Sequence, residues 1–246
     1  MQEGAYVSQL MAGRFFLIAG TRLIQLSRRT GEAPERLLGL YFVSTGAAYL
    51  GWVLPFVVAL RPMAETADLA AWVVYSIGVV PYLIFTRLVF RPNSRWPHGV
   101  VIGCAVALAL STTVFVVNHD IYPGLDDPFY WTQWLGYTLP CVWMAFEAAL
   151  CRRNAVRRAR IGLADPSVAN RYLLLALFGG FQVLACLSDI LLSIELAANQ
   201  AVSTSADLLL GGFELAGIAA LWLAFFPPPA YRNWVAGSKQ SADEVA

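Results

Sequence analysis

The chain is short of charge. Asp, Glu, Lys and Arg together make up 13% of its 246 residues, against 58% hydrophobic ones, and the mean hydropathy is +0.59. A water-soluble fold of this length has no interior large enough to hide so much apolar side chain, which excludes that class and leaves an integral membrane protein. Lysine is scarcer still, since Lys239 near the C-terminus is the only one, so no span carries an amine that could hold a ligand as a Schiff base. His98 and His119 are the only histidines and fall in expected loops at opposite ends of the spans, too few and too far apart for a metal-dependent membrane hydrolase. No HExxH, GxSxG or paired-Cys motif lies within a span. Cys104, Cys141, Cys151 and Cys186 sit singly in apolar segments without zinc or disulfide spacing, and read as packing residues. An enzyme is therefore not expected, nor a cofactor. The N-terminus lacks a basic start and a cleavage site, so no signal peptide is expected and the first helix is retained.

What is present is apolar sequence in long runs. A membrane-crossing helix needs about 20 mostly apolar residues, and seven stretches qualify: about 5–26, 37–60, 69–90, 99–118, 131–151, 172–196 and 207–227. The connections "SRRTGEAPER", "RPNSRWPHG" and "RRNAVRRARIGLADPSVANR" are rich in arginine, whereas "RPMAETAD", "HDIYPGLDDPFY" and "LAANQAVSTSAD" are acidic or neutral. By the positive-inside rule the first three face the cytoplasm, which places the N-terminus outside and the C-terminus inside. Tyr122, Phe129, Tyr130, Trp131 and Trp134 read as outer aromatic anchors, and Trp96, Tyr231 and Trp234 as inner ones. The chain is thus expected to be a single all-α domain over 1–246, with helices 1–3 over about 5–90, a linker helix over about 99–118, helices 5–7 over about 131–227 and a disordered tail over about 235–246. A bacterial inner membrane is the expected location. Among the arginines of the long basic loop, Arg152, Arg153, Arg157, Arg158 and Arg160 are placed to contact anionic lipid headgroups.

The two ends of the chain echo each other. "FRPNSRW" after the third span resembles "FPPPAYRNW" after the seventh; "TADLAAWVVYSIG" and "SADLLLGGFELAG" pair Asp68 with Asp207 and Gly78 with Gly217; and "RTGEAPERLLGL" resembles "RIGLADPSVANRYLLLAL". Helices 1–3 and 5–7 are thereby read as parallel copies joined by helix 4. Parallel repeats about an axis along the membrane normal are a transporter design with the solute site between them.

That plan of three, one and three helices resembles the SWEET sugar transporters and the PQ-loop proteins. The chain departs from their signature, having no Pro-Gln dipeptide in the first or fifth helix but only Gln25 in "LIQLSRRTGE", so no functional residue is carried over. The outside N-terminus and seven helices also resemble the microbial rhodopsins and seven-helix receptors. The missing lysine excludes a retinal pigment, but a non-retinal receptor or sensor signalling through its cytoplasmic loops stands as the alternative to a transporter.

Charges inside the spans are functional candidates by default, because each costs a few kcal/mol or more unless partnered. The first repeat contributes Arg14, Arg22 and Arg87, the second Glu147, Asp189 and Glu214. At about 1.5 Å per residue, Arg22 and Glu147 lie about 9 and 8 Å from the inner boundary, and Arg14 and Glu214 about 21 and 18 Å from it. The expectation is an inner pair, Arg22 with Glu147, and a midplane cluster, Arg14 with Glu214 and Asp189. Such pairs either fix helix register, contributing little net stability, or form the site: Arg14 would clamp an anion, and a carboxylate released from it would take up a proton. The function expected is transport of a small polar or anionic solute with proton coupling. A metal is not expected, although His119, Asp120, Asp126 and Asp127 supply weak candidate ligands in the outer loop. Asp165 and Ser167 around Pro166, Thr66 and Ser205 read as helix caps.

Overall fold

The computed structural model describes residues 3–57, 64–118, 125–163, 165–197 and 204–235. Long helices fill nearly all of it: α1 (Glu3–Thr30), α2 (Ala33–Val57), α3 (Ala64–Phe90), α4 (Trp96–Asn118), α5 (Pro128–Arg160), α6 (Pro166–Ala197) and α7 (Thr204–Phe225), followed by a short helix, α8, over 229–235. Five of these, α2, α3, α4, α6 and α7, are long and apolar enough to cross a membrane. The remaining two long helices carry more polarity, α1 through Arg14 and Arg22 and α5 through Glu147 and its terminal run of arginines. Large apolar side chains lie exposed in stripes at helical spacing, among them Ile102, Val106 and Leu110 on α4, and Leu135, Leu139, Val142 and Phe146 on α5. Stripes of that kind are stable against lipid and not against water. The expected tail over about 235–246 lies, but for Val235, outside the described residues.

α2 packs between α1 and α3, and α6 between α5 and α7; α3 meets α5 and α7 meets α1, closing six helices into a ring, while α4 lies outside it against α3 and α5. Within the first triplet the approach is very close because glycine faces glycine. A Cβ on Gly20 would stand 2.8 Å from the Gly39 carbonyl oxygen, and one on Gly46 2.7 Å from that of Gly13. In the second triplet Gly179 of α6 meets the backbone of Cys141 and Ala145 on α5 in the same way. Small residues are how membrane helices gain packing area where lipid removes the hydrophobic incentive.

The turns obey one rule in both triplets. α1 ends at Gly31, with φ +77°, and α5 at Gly162, with φ +72°; both conformations penalise any Cβ and suit a helix stop. Gly31 donates to Ser27 O, and Leu163 closes the end of α5 by donating to Arg158 O. Pro34 and Pro166 then stand in the first turns of α2 and α6, where no amide donor is needed. Asp165 accepts from the Ser167 amide at 2.8 Å as the cap before α6. Thr66 and Ser205 are not caps, since α3 and α7 begin ahead of them at Ala64 and Thr204. Gly78 and Gly217, which hold the same place in "TADLAAWVVYSIG" and "SADLLLGGFELAG", each pack on the middle helix of their triplet, against Ser44 of α2 and against Phe178, Phe181 and Gln182 of α6.

Candidate functional site

Every ring helix turns one face toward a common cavity, and α4 contributes nothing to it. The spacing on each helix is that of a single face: Tyr49 and Trp52 on α2; Asp68, Trp72 and Tyr75 on α3; Trp134 and Tyr137 on α5; Gln182, Ala185, Cys186 and Asp189 on α6; Leu210 and Glu214 on α7; with Gln9 from α1. The cavity has a volume of about 200 Å³, room for six or seven waters at about 30 Å³ each. These residues occupy the starts of the odd-numbered ring helices and the ends of α2 and α6, so the cavity belongs to one end of the bundle.

One or two turns deeper the interior is solid. Tyr41 stacks on Tyr82 with ring centroids 4.6 Å apart, Phe178 stands edge-on to Phe42 and Tyr82, and Met144 and Leu221 complete a fully buried layer. The cavity walls are aromatic as well. Trp52 contacts Trp72 at 5.1 Å and Tyr75 at 5.8 Å, Trp72 stacks on Tyr137 at 5.7 Å, and Tyr49 stands 5.4 Å from Trp52. A polar thread holds this wall in place: Gln133 donates to the Tyr137 hydroxyl at 2.6 Å, and Ser76 bonds both that hydroxyl at 2.7 Å and Thr112 of α4 at 2.9 Å.

Three carboxylates line the space, Asp68, Asp189 and Glu214, and among the described residues no lysine, arginine or histidine does. Glu214 accepts a hydrogen bond from the Tyr49 hydroxyl. Asp68 and Asp189 have no hydrogen-bond or ion partner among the described residues. Several buried donors on the lining also lack one: the indole N–H groups of Trp52 and Trp72, and the amide Nε2 of Gln182. Unsatisfied polar atoms inside a bundle are costly, and the three residues that carry these all belong to the cavity lining.

The expected charge pairs are not formed. Glu147 pairs with Arg91, at 2.8 Å, and not with Arg22; Arg91 belongs to the connection but follows α3 directly and reaches across to α5. That carboxylate holds the Arg91 guanidinium above its ordinary pKa. Arg22 instead lies over the rings of Trp222 and Phe226, at 5.2 and 5.9 Å from their centroids. Arg14 is exposed on α1, turned away from the cavity that Glu214 and Asp189 share. Distance along a helix does not by itself decide which side chains meet; rotation about the axis does.

Two further expectations shift. Trp134 is not a surface anchor, because its ring lines the cavity and its N–H donates to Cys186 O at 3.0 Å, whereas Phe129, Trp131, Trp96 and Trp234 are exposed as anchors should be. Of the weak metal ligands, His119 and Asp120 lie outside the described residues, and Asp127 is the N-cap of α5, accepting from the Phe129 amide at 2.7 Å. No cluster of three metal-ligating side chains occurs among the described residues. Arg152, Arg153, Arg157 and Arg158 are exposed on the last turns of α5. Asp68, which the sequence marks only by its match with Asp207, lines the cavity with Trp72 and Tyr75, four and seven residues on, which complete one helical face. Comparison of the chain with protein-family models, with curated proteins and with solved structures finds no match.

Proposed function

We propose that this protein is a small polytopic membrane transporter for a polar solute, and that the cavity enclosed by the ring is its solute site. All seven long helices cross the membrane in this reading, with the arginine-rich connections cytoplasmic and the cavity in the outer half. The observation that carries it is the placement of a polar-lined cavity between two helix triplets. Each triplet repeats the other's turn glycine, early proline and third-helix glycine, as expected of parallel repeats that rock about a central site. Tyr75 and Glu214, seven residues beyond the matched Asp68 and Asp207, are equivalent positions of the two copies, and both line the cavity. The exposed arginines on the end of α5 then meet the anionic cytoplasmic leaflet.

A receptor or sensor is the second reading, and the solid layer of Tyr41, Phe42, Tyr82 and Phe178 beneath the cavity favours it, since a receptor needs no path through the bundle. Purified protein in liposomes, tested for uptake and counterflow with a panel of labelled cationic, neutral and anionic solutes, separates the two. Saturable, protein-dependent accumulation of one class supports transport. Binding of a solute without any flux would replace the transporter with the receptor.

A further inference from the structure

The electrostatics and walls of the cavity go further than its position does, and we infer that its ligand is a small organic cation, an ammonium carrying methyl or methylene groups. This rests on the cavity being the ligand site, but not on whether the ligand is transported. The first argument is charge. Asp68, Asp189 and Glu214 face one space; among the described residues no basic side chain lines it, and two of the three carboxylates have no partner. An anion entering there would meet only like charge, whereas a cation supplies what is missing.

The second argument is independent of the acids. Trp52, Trp72 and Tyr75 stand mutually edge-on, at centroid distances of 5.1, 5.8 and 6.4 Å, and Trp72 is backed by stacked Tyr137. All four rings belong to the cavity lining, so its wall on α2, α3 and α5 is aromatic. Ring faces attract cations, and alkylated ammonium groups most of all, because they shed water readily. A bare metal ion would not use such a wall: hard cations take six to eight oxygen ligands, and the lining offers its oxygens singly from separate helices.

The third is size, a small alkylammonium having only a handful of heavy atoms. The volume of about 200 Å³ suits a molecule of that size.

Choline and its uncharged isostere 3,3-dimethyl-1-butanol share shape and hydroxyl and differ in charge, so they make the test. Quenching of tryptophan fluorescence in detergent-purified full-length protein is expected to report saturable choline binding, with the isostere at least tenfold weaker and acetate without effect. Asp189→Asn and Trp72→Leu should each weaken choline at least tenfold while Arg14→Gln leaves it within twofold. Far-ultraviolet circular dichroism verifies that each variant is folded, and should one of the two fail to fold, Asp68→Asn replaces it with the same expectation. Equal affinity for choline and the isostere, or tighter binding of acetate than of choline, would overturn the inference, as would absence of binding by choline and by tetramethylammonium. Uptake of a neutral or anionic solute that choline does not inhibit removes the cation but leaves the transporter; choline binding without flux does the reverse.

Discussion

Replacing Gly20 with alanine tests the packing on which the ring depends. A Cβ there would come within 2.8 Å of the Gly39 carbonyl oxygen and the Val43 amide nitrogen, and within 2.9 Å of the Phe42 Cβ. Two of these three atoms are backbone, so no rotamer change relieves the contact. α1 and α2 must instead part by about half an ångström, loosening every contact between them; overpacking of this kind costs about 1–3 kcal/mol. Alanine also favours the helix over glycine, by up to about 1 kcal/mol, which partly offsets the clash. Gly180 isolates the two effects, because a Cβ there meets nothing within 4 Å. The difference between Gly20→Ala and Gly180→Ala is therefore the clash alone. At about 2–4 °C per kcal/mol for a chain of this size, the Gly20 variant should melt about 2–12 °C below the Gly180 variant, measured by thermal unfolding in one detergent. Equal melting temperatures would refute the claim that glycine sets the α1–α2 distance.

Arg91→Ala should be more destabilising than Glu147→Gln, about 1–3 against about 1 kcal/mol by denaturant titration, because the first leaves a buried carboxylate with only the Trp143 N–H at 3.4 Å and the second leaves a half-exposed guanidinium free to reach water; the reverse order would mean that Arg91 is not the partner Glu147 depends on. Ser76→Ala and Tyr137→Phe should each cost about 0.5–1.7 kcal/mol and be non-additive in the double variant, since they share one hydrogen bond; strict additivity in thermal melts would break the thread across α3, α4 and α5. Arg22→Gln should lose about 0.5–1 kcal/mol through its ring contacts with Trp222 and Phe226; an unchanged melting temperature would remove that contact from the account.

Much of the fold was legible because its signals are one-dimensional. Apolar runs gave the long helices, and the glycine and proline at "RTGEAP" and "RIGLADP" gave turns that Gly31 and Gly162 make with positive φ. α5 runs on to Arg160, well past the expected end near 151, since an arginine-rich run that ends an apolar span is itself a good helix former. The site was less legible because it depends on rotation about each helix axis. Asp189 and Glu214 were picked out by charge alone and both line the cavity, but the same reasoning brought in Arg14, which stands exposed because the seam of Gly13 and Gly20, about a third of a turn away, is the face of α1 that packs on α2. Trp52, Trp72 and Tyr75 gave no sign of themselves, since aromatic residues are as common at membrane boundaries as in binding sites. A two-helix seam marked by small residues would have supplied the missing rotation.

Occluding the cavity tests the central claim most directly. Ala185 is buried on α6 at its lining, and Ala185→Trp places there a side chain about as large as the space itself. Solute flux into proteoliposomes is expected to fall to background in this variant while its melting temperature stays within a few degrees of the unaltered protein. Full flux through a folded Ala185→Trp protein would contradict the account, because the solute would then be passing somewhere other than between the two triplets.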